Sequence, residues 1–284
     1  MVLKIVTSIY DLRYEDGRGG MIYKSFPLLT QTIRNILFDE FEYVIYTDKH
    51  TYDLHSLGSI FNKENITIKF MELDSDYYLT KINPIRDLKF KEGEIYDRIY
   101  CVKNYIEVIL NKIKVLLEES EENKNVVWLD SGLFGTSCHD GWRDYMNVLA
   151  HSKLFLDKIN EKIDEYGFIS LRGESIQVNY ELRDRMNQIY GTDFKLVPGA
   201  LFGGNNVNIQ NVLSDYLNIF ELYLNTHNGL ISEQEVLAIL THRNNTKFFN
   251  FGDWNDLQRG ILEIMDKLDV DKYVFDKCYE QFFV

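Results

Sequence analysis

Val126-Val127-Trp128-Leu129-Asp130-Ser131-Gly132 is a short apolar run that stops on one aspartate. Its shortness, its β-branched residues and its polar flanks mark a buried strand rather than a helix. In an open α/β sheet, ligands bind in the crevice beyond the carboxyl ends of the strands. A carboxylate at that point either holds a hard cation, and through it a phosphate, or caps the following turn. In the second case Ser131 and Gly132 supply the turn chemistry.

The same alternation extends outward from this strand. Leu3–Ser8 is predicted as a first buried strand, followed by a polar, glycine-bearing loop from Asp11 to Gly20. A helix is predicted from Ser25, with Pro27 tolerated in its first turn and Leu28, Leu29, Ile33, Ile36 and Leu37 on one face. Tyr43–Thr47 is predicted as a second strand ending at Asp48, and Ile66–Leu73 as a third. Tyr77–Tyr96 has no clear period and is predicted as loop with short helical pieces. From Asp97 to Glu118, the residues Ile99, Val102, Ile106, Ile109, Leu110 and Ile113 mark a long amphipathic helix leading into the Trp128 strand.

Beyond it, Asn147–Tyr166 is predicted as helix and Gly167–Leu171 as strand. Phe194–Phe202 is predicted as a strand broken by Gly203-Gly204. Helices are expected at Ile209–Leu224 and Ser232–Leu240, a short strand at Lys247–Phe251 and a helical tail from Asp256. Strand and helix alternating from Leu3 to Asp130 indicate a Rossmann-like α/β sheet, here in one domain with an elaborated C-terminal half.

Composition narrows the function classes. The 284 residues, 45% hydrophobic, with 19 Tyr, 18 Phe and only 3 Pro, bury a full core and argue against disorder. Against 31 basic residues stand 44 acidic ones, a net charge of −13, which is the wrong sign for a general nucleic-acid binder. Cys101, Cys138 and Cys278 lack metal-type spacing and suit a reducing compartment. No stretch has the length of a membrane span, and the opening Met1–Val6 is too short for a signal peptide. The expectation is a cytoplasmic protein.

Four places carry candidate chemistry. Asp130 is the first. The second is the end of the first strand, Thr7-Ser8-Ile9-Tyr10-Asp11, where hydroxyls and a ring either meet a nucleotide or form an ordinary polar loop. The third is Val197–Asn206, where Gly203-Gly204 either lets backbone approach a ligand or makes a tight turn. The fourth is Ser232-Glu233-Gln234-Glu235: Ser232 and Glu235 fit a capping box, which leaves Glu233 and Gln234 as spare polar groups in the first turn. There is no dinucleotide fingerprint, P-loop, G-x-S-x-G or zinc spacing.

Taken in order, these segments resemble the GT-A-type glycosyltransferases, and more narrowly the HtrL/YibB group of bacterial proteins. The likeness runs through Ile5-Val6-Thr7-Ser8, Val44–Asp48, Lys103, Trp128–Gly132, Leu201–Gly204 and Ser232–Glu235. It implies a single GT-A domain over 1–284 with a mixed, mostly parallel central sheet flanked by helices. Residues 1–135 would form the nucleotide-sugar-binding half and 136–284 the acceptor-binding half.

The resemblance further implies a transferase moving a sugar from a nucleoside-diphospho-sugar, UDP-linked, to a hydroxyl acceptor with help from Mn²⁺ or Mg²⁺. It assigns catalytic roles to Asp130, Glu233 and Gln234. It assigns donor binding to Thr7, Ser8, Tyr10, Tyr46, Asp48, Arg98, Lys103, Gly203 and Gly204. The family holds its metal with a D-x-D pair, whereas Asp130-Ser131-Gly132 offers one carboxylate, so His242 and Asp253 are the candidates to complete the site.

The acceptor implied is a cell-surface or lipopolysaccharide glycan. An alternative is a phage-type enzyme acting on hydroxymethylated DNA bases, with a basic groove from Lys81, Arg86, Lys89 and Lys91. A noncatalytic nucleotide- or carbohydrate-binding protein on the same fold is the rival from another class.

Overall fold

β4 (Lys124–Leu129) is buried at every residue after its first because it runs through the interior of the sheet. Both of its faces are covered, which is why it reads as an unbroken apolar run rather than an alternating one. The computed structural model describes residues 1–11, 30, 33–34, 37–73, 80–81, 84, 105–131, 153–170, 197, 199–227, 233–243 and 249–250.

In chain order the strands are β1 (Val2–Ser8), β2 (Glu42–Thr47), β3 (Ile66–Phe70), β4, β5 (Phe168–Ser170), β6 (Leu201–Asn205) and β7 (Phe249–Asn250). Among the described residues they form one sheet in the order β3-β2-β1-β4-β6-β5-β7. Only β6 runs against the rest, pairing antiparallel with β4 and β5, so the sheet is mixed and mostly parallel as expected.

The chain steps from β1 outward to β2 and β3, then returns past β1 to lay down β4 on its other side. The boundary between β1 and β4 is therefore a topological switch point, and open α/β sheets bind ligands beyond the carboxyl ends of the strands at such points.

The helices are α1 (Lys49–Leu54), α2 (Leu57–Ile60), α3 (Tyr105–Glu119), α4 (Lys153–Tyr166), α5 (Asn206–Leu213), α6 (Tyr216–His227) and α7 (Glu233–Arg243). On one face, Val6, Val44, Val126, Trp128, Phe168 and Phe202 pack against Ile109, Ile113 and Leu116 of α3 and against buried residues of α5, α6 and α7. On the other, Ile9, Ile45, Leu57 and Phe61 form a second cluster. Asn125, on that second face, ties α4 to the sheet by donating to Asn160 Oδ1 at 2.8 Å and Asp164 Oδ1 at 2.7 Å. No helix among the described residues is long and apolar enough to cross a membrane.

Three sequence expectations are corrected. Gly203 and Gly204 do not break a strand; they lie inside β6, paired with Val127 and Val126. A Cβ on Gly203 would stand 2.2 Å from the Val126 carbonyl oxygen, so the close approach is to the backbone of β4. The single helix expected over Ile209–Leu224 is two, α5 and α6. α1 and α2 were not anticipated; Asp48 caps α1, its Oδ1 accepting the Thr51 N–H at 2.6 Å.

At the amino end of the sheet, α3 terminates in a buried ionic cluster. Lys4 of β1 donates to the Glu119 carbonyl at 3.3 Å and to Glu119 Oε2 at 3.4 Å, and also pairs with Glu121. Lys69 of β3 pairs with Glu119, and Tyr46 donates to Glu119 Oε1 at 2.5 Å. Burial works to raise the Glu119 carboxyl. It is outweighed by the hydrogen bonds from Lys69 and Tyr46 and by the charges of Lys69 and Lys4, which leave Glu119 below the usual glutamate value.

A folded value below the unfolded one adds stability above pH ~4.3, which is lost as pH falls through the folded value. Glu119→Gln also takes from buried Lys4 one of its two carboxylate partners, leaving Glu121 alone to balance it. The variant should lose about 3 kcal/mol at pH 7 in urea titrations, with the gap to wild type closing as the pH is lowered below about 4.

Candidate functional site

Asp130 follows directly on β4. Its N–H donates to the Ala200 carbonyl at 2.8 Å, which carries the β4–β6 ladder one residue past the Leu129–Leu201 pair and fixes the Asp130 backbone. Side chains alternate along a strand, so Asp130 projects on the face of Val126 and Trp128, toward α3 and α7.

There it meets Lys112. In α3, Ile109, Lys112, Ile113 and Leu116 are all buried and share one stripe, so the lysine stem enters the sheet–helix layer with its apolar neighbours. A buried ammonium needs acceptors to replace water. Lys112 Nζ donates to Asp130 Oδ2 at 3.0 Å and to the Gly199 carbonyl at 3.3 Å, and pairs with Glu233 Oε1 at 3.4 Å. It also stands 5.8 Å from the centroid of the Trp128 ring. α3, β4, the turn before β6 and α7 thus converge on one nitrogen.

The two carboxylates differ in exposure. The Asp130 side chain is 35% exposed, whereas those of Glu233 and Lys112 are 5% and 6% exposed. Glu233 opens α7, but instead of pointing outward as a spare polar group of the first turn, it is sealed beneath Gly199. Burial pushes its carboxyl up; Lys112 pulls it down and Asp130 pushes it up again, and the net shift is upward. Gln234 is half-buried beside it.

The carboxyl end of β1 supplies the adjoining wall. Ser8 and Asp130 each stand two residues beyond the paired Val6 and Trp128, on the same face. Ser8 and Tyr10 are buried. Burial, then the charges of Asp48, Glu107 and Glu72, raise the Tyr10 phenol so far that it stays a neutral hydroxyl. Glu107 and Asn111 of α3 are buried on this side. Asp11 Oδ2 meets His55 Nε2 at 2.6 Å, and the Asp11 N–H donates to Thr51 Oγ1 at 2.8 Å.

The remaining predicted residues divide. Thr7 lies on the opposite face from Ser8, with its Oγ1 buried and unpartnered. Tyr46 gives its hydroxyl to Glu119 in the core. Asp48 is occupied in capping α1, its second oxygen accepting from Thr51 Oγ1 at 2.9 Å. Gly203 and Gly204 lie within β6. Arg98, Lys103 and Asp253 lie outside the described residues, as do Arg86, Lys89 and Lys91 of the basic groove; Lys81 is described and exposed. His242 falls near the end of α7, about 13 Å along the axis from Glu233, and its side chain is outside the described residues. Lys112, Glu107, Asn111 and His55 were not singled out from sequence, and Asp11 stood there only as the last residue of the Thr7–Asp11 segment.

The resemblance implies Mn²⁺ or Mg²⁺ at Asp130. Such an ion takes its ligands from anionic oxygens at close range. Here one oxygen of Asp130 is already held by an ammonium that also engages Glu233. Among the described residues no group of three or more His, Cys, Asp or Glu side chains could hold a metal. The described donor set does not fit a divalent ion.

Gly199 is the keystone over Glu233: a Cβ there would lie 2.4 Å from Glu233 Oε1 and 2.7 Å from its Cγ. Gly199→Ala should cost about 1–3 kcal/mol in chemical denaturation. The cost should be largely relieved in the Glu233→Ala background, and a double-mutant cycle reads that coupling directly.

No protein-family model matches the chain, and no curated protein is significantly similar to it in sequence. Among solved structures, the chain is similar to mouse xyloside xylosyltransferase 1 at a TM-score of 0.49 and 7% identity, over 88% of this chain and 85% of that one. It is also similar to a candidate nucleotide-diphospho-sugar transferase from Desulfovibrio desulfuricans at a TM-score of 0.42 and 10% identity, over 89% of this chain and 81% of that one.

Proposed function

We propose that this chain is a glycosyltransferase that moves a sugar from a nucleoside-diphospho-sugar, UDP-linked, to a hydroxyl of a glycan acceptor. The observation that carries this reading is Asp130: a half-exposed carboxylate, fixed by backbone pairing, at the β1–β4 switch point of a mostly parallel sheet. The order of motifs that resembles GT-A enzymes supplies the reaction class.

In such a transfer the acceptor oxygen bonds to the anomeric carbon as the bond from that carbon to the diphosphate oxygen breaks. The nucleoside diphosphate leaves, and the acceptor's proton passes to the departing diphosphate oxygen or to solvent. Negative charge grows on the leaving group, so fixed positive charge and well-placed donors lower the barrier. In this reading Asp130 touches the donor, accepting hydrogen bonds from sugar hydroxyls through its exposed edge. Lys112 holds that carboxylate in place and offsets its charge. Glu233, sealed from solvent, is a positioning residue for Lys112 rather than the base that meets the acceptor. Ser8 and the neutral hydroxyl of Tyr10 line the donor side.

A donor sugar that binds the native state at about 100 times its dissociation constant stabilises it by about 2.7 kcal/mol, a rise in melting temperature of about 5 °C. UDP-, GDP- and CDP-sugars should be compared in that assay, and at least the UDP series should shift the midpoint. Absence of a shift with every donor would sink the reading. Asp130→Asn should keep the fold, judged by circular dichroism, and lower kcat/KM about a hundredfold or more. Transfer or donor hydrolysis unchanged in that variant would remove Asp130 from the catalytic machinery, whereas no turnover by the wild-type chain with any donor it binds would point instead to a noncatalytic binding protein.

A further inference from the structure

We infer that Lys112 is the resident cation of this site: its ammonium, bridging Asp130 and Glu233, takes the position that a divalent ion would need, so donor binding requires no metal at Asp130. The second half of this statement rests on the glycosyltransferase reading; the first stands on geometry alone.

Three features make the ammonium a fixed part of the site rather than a passing occupant. Lys112 is buried, and its nitrogen is held at 3.0 Å by Asp130 Oδ2, 3.3 Å by the Gly199 carbonyl and 3.4 Å by Glu233 Oε1. The Trp128 ring backs it at 5.8 Å. If Lys112 swung out to admit a metal, Glu233 would be left in the interior without its counter-charge, an arrangement proteins avoid. A metal bound to Asp130 with Lys112 in place would sit a few ångströms from a positive charge in a partly desolvated setting, where like charges repel strongly.

The same arrangement lessens the repulsion that a metal at Asp130 would otherwise remove. A nucleoside diphosphate approaching Asp130 alone would face an uncompensated carboxylate. With Lys112 behind it, the charge of Asp130 is partly offset, and the incoming anion meets less repulsion than a bare carboxylate would present. The single carboxylate of Asp130-Ser131-Gly132 is then complete as it stands, because its partner is a lysine on α3 rather than a second acid on the same loop.

The test uses Mn²⁺ alone as the first probe, titrated calorimetrically into the whole chain, into Asp130→Asn and into Lys112→Ala. The wild-type chain should show no saturable Mn²⁺ binding that Asp130→Asn removes. Lys112→Ala, with Asp130 and Glu233 freed to face a cation, should gain saturable Mn²⁺ binding, about tenfold or more above the wild-type background. The double variant Lys112→Ala/Asp130→Asn should lose that gain. A lysine that merely filled space would give no such metal-dependent response. One Mn²⁺ bound by wild type and lost in Asp130→Asn overturns the inference.

If Lys112→Ala does not fold, the wild-type chain still decides. The melting shift produced by a UDP-sugar should be the same in EDTA and in Mn²⁺, and a shift abolished by EDTA overturns the inference while leaving the transferase reading intact. No shift in either buffer fails that reading instead, and the Mn²⁺ titration of wild type and Asp130→Asn then decides the role of Lys112 without it.

Discussion

Burying an ammonium is costly unless acceptors close around it, and the Lys112 ammonium sets this requirement for the whole carboxyl edge of the sheet. The acceptors come from three places far apart in sequence: Asp130 after β4, Gly199 before β6 and Glu233 at the start of α7. None can move far without stranding the others. Gly199 has to be glycine for Glu233 to lie beneath it. The Asp130 backbone in turn is held by Ala200, the neighbour of Gly199. The turn into β6, the end of β4 and the first turn of α7 are therefore one mechanical unit built around a single nitrogen.

α3 carries this unit at one end and a second at the other. Lys112 and Glu119 are seven residues apart, two turns of helix or about 10 Å, and both point into the sheet. At Glu119 the charge is acidic and its partners basic, with Lys4 and Lys69 reaching in from β1 and β3. At Lys112 the signs are reversed. The helix is thus pinned across the sheet by two ionic clusters of opposite polarity, with the apolar contacts of Ile109, Ile113 and Leu116 between and beside them. The Glu119 carboxylate is buried, whereas Asp130 leaves part of its carboxylate in solvent. That difference in exposure separates a structural cluster from one that can meet a ligand.

The parts of the fold legible in sequence were those whose causes are local. β1, β2 and β4 announced themselves as short apolar runs, and the stripe of α3 by its period. The glycines of β6 were visible as residues, yet their reason was not: what forbids a Cβ at Gly203 is the backbone of β4 at Val126 and Val127, far away in sequence. Lys112 had a local signal that passed unread. It falls at i+3 from Ile109 and one before Ile113, a charged residue inside an apolar stripe, and such a residue must have a partner. Which partner it has depends on tertiary packing that no spacing rule encodes. α1 is hidden for a simpler reason: at the end of a strand, an aspartate such as Asp48 suits a ligand and a helix cap equally, and only the fold shows that it caps α1 through Thr51.

Exposure also decides the division of labour between the two acids on Lys112. Both are within hydrogen-bonding distance of the same nitrogen, so charge alone does not distinguish them. A base that takes a proton from an acceptor has to touch that acceptor, and Glu233 is sealed by Gly199 above and Lys112 beside it. Its carboxyl is raised by burial, which further disfavours a bare anion there. Asp130, in partial contact with solvent and with one oxygen steadied by Lys112, is the group able to meet a substrate without dismantling the core. The missing second acid of the Asp130-Ser131-Gly132 segment then has a physical counterpart. In the proposed reading, Lys112 of α3 supplies part of the positive charge that a pair of acids would gather from solution as a metal.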